Sequence, residues 1–104
     1  MGAVDRGARL DWQCRGEYIR SRSARHAGDT DIEPAWADKA FQDDDALVDS
    51  PDAASKPGKS DRLVGYSPTA RMVIVAVYLR EELIGVNAWK ANATQARRYW
   101  EDRA

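Results

Sequence analysis

The sequence predicts an α+β fold in a single domain, residues 1–104, with two N-terminal helices, an antiparallel sheet of about four strands and a C-terminal helix. Three observations carry this reading. From Asp61 to Trp89 apolar residues recur at period two, interrupted by turn residues at Ser67-Pro68-Thr69-Ala70 and at Glu81-Glu82. Ahead of that stretch Ile32, Trp36, Ala40 and Phe41 recur at helical spacing, and behind it Asn92 and Gln95 stand at the spacing of a reciprocal helix cap. A chain of 104 residues, 43% hydrophobic and 32% charged, has the size and balance for one modest core.

Taken in order, residues 1–9 are expected to form a flexible N-terminus, and Leu10 and Trp12 suit a short edge strand. The stretch CRGEYIRSRSARHAG, residues 14–28, reads as one helix ending at Gly28, a residue suited to the left-handed C-terminal position. Its apolar face is thin, supplied mostly by Tyr18 and Ile19, while Arg15, Arg20, Arg22 and Arg25 make the rest cationic. DIEPAWADKAF, residues 31–41, reads as a second helix capped by Asp31, which leaves Pro34 in the tolerant first turn. Asp43 to Asp45 read as a solvated connection, because three adjacent carboxylates cannot all point at one cation. Ala46 to Asp49 is a short strand, and residues 50–60, rich in Pro, Gly and Ser, read as a mobile loop.

DRLVGYS, RMVIVAVYLR and LIGVNAW then give three strands. The middle one is apolar on both faces, with Val73, Val75, Val77 and Leu79 on one and Met72, Ile74, Ala76, Tyr78 and Arg80 on the other, so it belongs inside the sheet. In the last helix Ala93, Ala96 and Trp100 are expected to lie toward the sheet, with Arg97 and Arg98 outward.

Composition narrows the chemistry. The only cysteine, Cys14, excludes an internal disulfide and a multi-cysteine zinc site, and with His26 as the only histidine a metal centre would lean on carboxylates. No metal and no cofactor are expected. The longest apolar stretch, Met72 to Val77, is strand length, and charges occupy the place of a signal peptide's apolar segment, so a soluble cytoplasmic protein without a membrane partner is expected. The net charge of −1 conceals an uneven distribution: residues 1–28 carry +3, 29–61 carry −7 and 62–104 carry +3. The two ends can therefore build a basic face, because binding responds to local potential rather than to the sum.

The succession RHAGDTDIEPAWADKAFQDDDALV, DRLVGYSPTARMVIVAVYLR and LIGVNAWKANATQARRYWED resembles the BrnT family of toxins from type II toxin–antitoxin pairs. The likeness runs from about Trp12 to Glu101 through His26, Phe41, Ala46-Leu47, Arg62, Gly65, Ser67, Ala88, Lys90, Ala91, Arg97, Arg98 and Tyr99. It implies a RelE-like ribonuclease fold, translation arrest by ribosome-independent RNA cleavage, and neutralisation by a cognate ribbon-helix-helix antitoxin. The chain departs from the family pattern at Asn87 and Trp89, where Ser and Arg are common, and at Gln95, where Glu is common.

Cleavage of this type needs the RNA 2′-hydroxyl to lose a proton, the leaving oxygen to gain one, and the phosphorane charge to be neutralised. Arg62, Arg80 and Lys90 are the candidates for charge stabilisation if they converge over one concave face; the bland alternative is exposed strand cations paired with Glu81, Glu82 or nothing. His26 is the only side chain that titrates near neutrality unaided, and it equally suits capping a helix end. Tyr78, beside Arg80, could donate a hydrogen bond or stack a base; the bland alternative is a tyrosine at the rim of the core. Lys90 is a second candidate acid where neighbouring arginines disfavour its charge. Trp89 could stack an unpaired base, flanked by Asn87 with Arg97 and Arg98 tracking phosphate, or it could plug the space under the last helix. A second reading of the same residues is a non-catalytic interaction domain that binds an antitoxin-like partner or RNA. A DNA-binding protein is disfavoured by the absence of helix-turn-helix spacing and of strong positive charge. A homodimer is left open.

Overall fold

A strand that is apolar on both faces is satisfied only between two layers, and this chain is built around one. The computed structural model describes residues 8–103. Its elements run α1 (Gly16–Arg20), α2 (Arg22–Arg25), α3 (Pro34–Phe41), β1 (Leu47–Asp49), β2 (Ser60–Ser67), β3 (Met72–Leu79), β4 (Ile84–Lys90) and α4 (Ala93–Arg103). The strands form one antiparallel sheet in the order β1-β2-β3-β4. The expected α+β class, four-stranded antiparallel sheet and C-terminal helix are present. Of the segment expected to be flexible, residues 1–7 lie outside the described residues.

β3 is buried from Val73 to Tyr78. On one side Ile74, Ala76 and Tyr78 pack with Leu63, Ile19, Ile32, Ala37, Ala40 and Phe41, and the Phe41 ring meets Tyr78 edge-on at 5.2 Å between centroids. On the other side Val64, Val73 and Val75 pack with Ala91 and Tyr99, joined by half-buried Leu47, Tyr66, Trp89 and Ala96. The sheet thus has α1 and α3 on one face and α4 on the other. α3 crosses β2 with no room to spare: a methyl group at Gly65 would collide with the Ala40 carbonyl oxygen, and would stand 3.1 Å from the carbonyl carbon. Gly85 in β4 is similarly covered by the indole of Trp12.

Four local expectations are corrected. The single helix over 14–28 is two short ones, broken at Ser21, whose hydroxyl donates to the Glu17 carbonyl at 2.7 Å. A hydroxyl that bonds the local backbone offers an alternative to the helical ladder, and with only Gly16 and Ile19 buried in α1 and nothing in α2, packing does not override it. Gly28 does take a positive φ of 92°, beyond the C-cap residue His26.

Asp31 does not cap α3. That position is Glu33, without a side-chain cap and with Pro34 at the first helical residue, and Asp31 instead accepts from Ser23 N–H at 2.7 Å and the Ser23 hydroxyl at 3.1 Å. Those bonds hold its carboxyl below the usual range. Leu10 and Trp12 make no strand; Asp11 forms one parallel bridge with Ile84. In α4 it is Tyr99, not Trp100, that faces the sheet. Tyr99 is 1% exposed and Trp100 46%, its ring lying against Tyr66 and Tyr99. The reciprocal cap fixes the helix start, with Asn92 N–H donating to Gln95 Oε1 and Gln95 N–H to Asn92 Oδ1, and the helical rotation from there brings Ala96 and Tyr99 inward.

The loop over 50–60 carries its own bonds. Asp52 N–H donates to the Ser60 carbonyl at 2.8 Å, and the buried Asp52 carboxylate accepts from Ala54 N–H. Asp43, in the acidic run, accepts from Tyr66 N–H at 2.8 Å and from the Tyr99 hydroxyl.

Buried Asp38 ties the N-terminal segment to α3, accepting from Leu10 N–H at 3.1 Å and Trp12 Nε1 at 3.2 Å. Burial pushes its carboxyl above the usual range, and the two N–H bonds only partly oppose this. A carboxyl raised on folding binds more protons in the native state, so its contribution is full below the unfolded pKa and falls as pH rises through the folded one. Asp38→Asn should remove that component. The stability difference between wild type and Asp38→Asn, measured by urea titration at several pH values, is expected to shift in favour of the variant as pH rises from acid to neutral. A difference independent of pH would refute this.

Candidate nucleic-acid interface

Strand register decides which side chains can meet. Asp49, Arg62, Val77 and Asn87 are cross-strand partners in one row, and Leu47, Val64, Val75 and Trp89 form the next. Both rows lie on the α4 side of the sheet, because Val64, Val75 and Trp89 pack with Tyr99 and Ala96. α4 covers the valine row and leaves the row of Arg62 and Asn87 beyond it.

The Arg62 guanidinium lies 5.1 Å from the centre of the Trp89 ring, and the Arg22 guanidinium 6.0 Å from it. Arg22 reaches over from α2, its Nη1 donating to Asn87 Oδ1 at 3.2 Å and to the Ala88 carbonyl at 3.4 Å, its Nη2 3.3 Å from Asp29. Arg62 is held by Asp52, Nη2 donating to Oδ2 at 3.4 Å. Its Nε sits 3.1 Å from Oδ1 as an ion pair whose angle makes no hydrogen bond, leaving a buried donor without an acceptor. Arg98 pairs with Asp49 at 3.4 Å, adjacent to Arg62 in the register. Between Arg22, Trp89 and Lys90 opens a cleft of about 210 Å³, floored by Gly28, Asp29 and Thr30.

The expected convergence of Arg62, Arg80 and Lys90 does not occur. Lys90 aligns with Ile74 at one end of the sheet, on the α3 side by register, though it is exposed and borders the cleft. Arg80 lies at the other end, its Nε donating to Asp61 at 2.9 Å and its Nη2 to the Gly58 carbonyl at 3.0 Å. Asp61 aligns with Tyr78, so Arg80 belongs to the α3 side while Arg62 belongs to the α4 side. The reason is the strand period of two, which sends neighbouring residues to opposite faces.

Tyr78 is 2% exposed, in the core against Phe41, and is not part of the face. His26 is exposed at the end of α2 and does not line the cleft. Arg97 is exposed on α4. Trp89, Asn87 and Arg98 do share the face with Arg62. Arg22 and Asp52 were not singled out for this face from the sequence. Arg22 reaches β4 from α2, the short helix after the break at Ser21, and Asp52 lay in a stretch whose composition reads as a loop.

This arrangement offers an indole plane flanked by guanidinium groups, which suits an unpaired base and its phosphate. Of the sequence's candidates for proton transfer, Tyr78 is in the core and His26 does not line the cleft, while Lys90 borders it. Among the described residues no group of three His, Cys, Asp or Glu is placed to hold a metal ion, and no helix is long and apolar enough to cross a membrane. No family model matches the chain, and no curated protein or solved structure matches it either.

Proposed function

We propose that the protein acts on single-stranded RNA as the toxin of a type II toxin–antitoxin pair, with the α4-side face of the sheet as its RNA surface. The observation that carries this is half-buried Trp89 on the edge strand β4, at the margin of the row that α4 covers, with the guanidiniums of Arg62 and Arg22 beside its ring. Stacking on the indole holds a base without regard to its identity, while the guanidiniums neutralise the adjoining phosphate. The toxin part rests on the resemblance from Trp12 to Glu101, and a RelE-like arrangement is part of the same proposal. In cleavage Arg62 and Arg22 would stabilise the phosphorane charge, Lys90 at the cleft rim would protonate the leaving 5′-oxygen, and the 2′-hydroxyl proton would pass to solvent water. A ribbon-helix-helix antitoxin would act by covering this face.

A second reading, binding without cleavage, is favoured by a specific observation. Arg62, Arg22 and Arg98 each have a carboxylate partner, while Arg80 and Tyr78 lie on the α3 side and His26 does not line the cleft. Incubating the purified protein with single-stranded RNA and with DNA of the same sequence separates the readings. Cleavage of RNA alone supports the toxin, since DNA lacks the 2′-nucleophile; binding without cleavage supports the second. Trp89→Ala is expected to weaken RNA binding by about 1 to 3 kcal/mol, read by fluorescence anisotropy. An unchanged dissociation constant would remove this face from the proposal.

A further inference from the structure

The outer surface of α1 and α2 carries a second arrangement of the same kind. The Arg15 guanidinium lies 4.3 Å and the Arg25 guanidinium 3.9 Å from the centre of the Tyr18 ring. Both guanidiniums therefore pack on the one ring. Each is fixed by uncharged groups: Arg15 Nε donates to the Val86 carbonyl at 3.1 Å, and Arg25 donates to the Tyr18 carbonyl at 2.7 Å and the Ser21 hydroxyl at 3.1 Å.

Arg20, Arg22, Arg62, Arg80 and Arg98 each form an ion pair, whereas Arg15 and Arg25 form none among the described residues. Asp31 attracts Arg25 from beyond ion-pair distance, its oxygens accepting from Ser23. Arg15, Tyr18 and Arg25 are all exposed. Exposed cations that are held in place by uncharged groups have already lost the freedom that binding would remove, which favours an anion with matching geometry.

Their position says which anion. β4 is an edge strand, and its outward carbonyls Val86 and Ala88 receive Arg15 and Arg22 respectively. Two residues of strand span no more than about 7 Å, so Arg15 and Arg22 are anchored at neighbouring places along one edge. We infer that Arg15, Tyr18 and Arg25 form a second phosphate-binding position for the RNA whose base stacks on Trp89, so that the RNA crosses the edge of β4 at Val86 to Ala88. The inference rests on the proposed RNA surface.

The test uses the full chain and fluorescent oligouridylates, a dinucleotide and an octanucleotide, over a range of salt. Replacing Arg15 and Arg25 together by Gln should leave dinucleotide affinity nearly unchanged, because one internucleotide phosphate cannot occupy both positions. It should weaken the octanucleotide about tenfold and flatten its log K against log salt slope by about 1.4, or 0.7 for each lost phosphate contact. Replacing both by Lys keeps the charges and should keep the slope, which separates charge from any effect on folding. Octanucleotide binding and slope unchanged in the Gln variant, with Trp89→Ala still defective, would overturn the second position and leave the RNA surface standing. Wild-type protein that binds neither oligonucleotide would overturn both. Loss of polyglutamate binding in the Gln variant, with its RNA slope intact, would assign these residues to an acidic protein segment and likewise overturn the inference.

Discussion

Gly65→Ala is expected to lower stability by about 3 kcal/mol or more, at the upper end of overpacking costs, and to depress the melting temperature by roughly 15 °C. Nothing about the backbone at Gly65 demands glycine; the constraint is space. The added methyl would run into the Ala40 carbonyl oxygen, and a carbonyl inside a helix cannot swing aside as a side chain can. α3 would have to lift from the sheet, opening the packing of Ala37, Ala40 and Phe41 over Leu63 and Ile74. Gly58→Ala provides the contrast. There φ is 71° with nothing within 4 Å of an added methyl, so only the left-handed penalty of about 1 kcal/mol applies. Thermal melts of both variants check the claim, and equal losses would sink it.

Tyr78→Ala is expected to cost about 3 to 5 kcal/mol, a large share of the 5 to 15 kcal/mol that typically separates folded from unfolded chains. Tyr78 is among the largest fully buried side chains, and its removal strips the edge-on partner from Phe41. Since the ring lies on the α3 side of the sheet, RNA affinity measured well below the melting temperature should remain near the wild-type value. Denaturant midpoints and anisotropy read the two quantities separately. A variant that melts normally but no longer binds or cleaves RNA would return Tyr78 to the functional site.

How far the sequence could be read depended on the range of the interaction. β3 was legible because six successive buried residues leave only a place between two layers. The α4 cap was legible because Asn92 and Gln95 bond each other's backbone within one turn. Asp31 was misread for the opposite reason. It satisfies the local pattern of a cap for α3, yet its acceptors are taken by Ser23, in a helix that reaches it only through the chain reversal at Gly28. Trp100 and Tyr99 are neighbours in a helix whose apolar face is narrow, so a rotation of one residue decides which is buried, and the Asp43 carboxylate that receives the Tyr99 hydroxyl comes from across the fold.

The candidate site divides in the same way. Arg62, Trp89, Asn87 and Arg98 could be nominated from residue type alone, and register then placed them on one face. Arg80 could be nominated as readily, and register placed it on the other. Arg22 needed both the helix break at Ser21 and the edge position of β4 before its reach to Asn87 could be seen.

By itself, then, the sequence determined the α+β class, the central position of β3 and the capped C-terminal helix, because periodicity and local hydrogen bonds act within a few residues. Which cations share a face, which aromatic rings are buried, and which carboxylates neutralise which arginines were decided only by the tertiary structure. Those outcomes depend on strand register and helix rotation, which are set by packing between segments far apart in the chain.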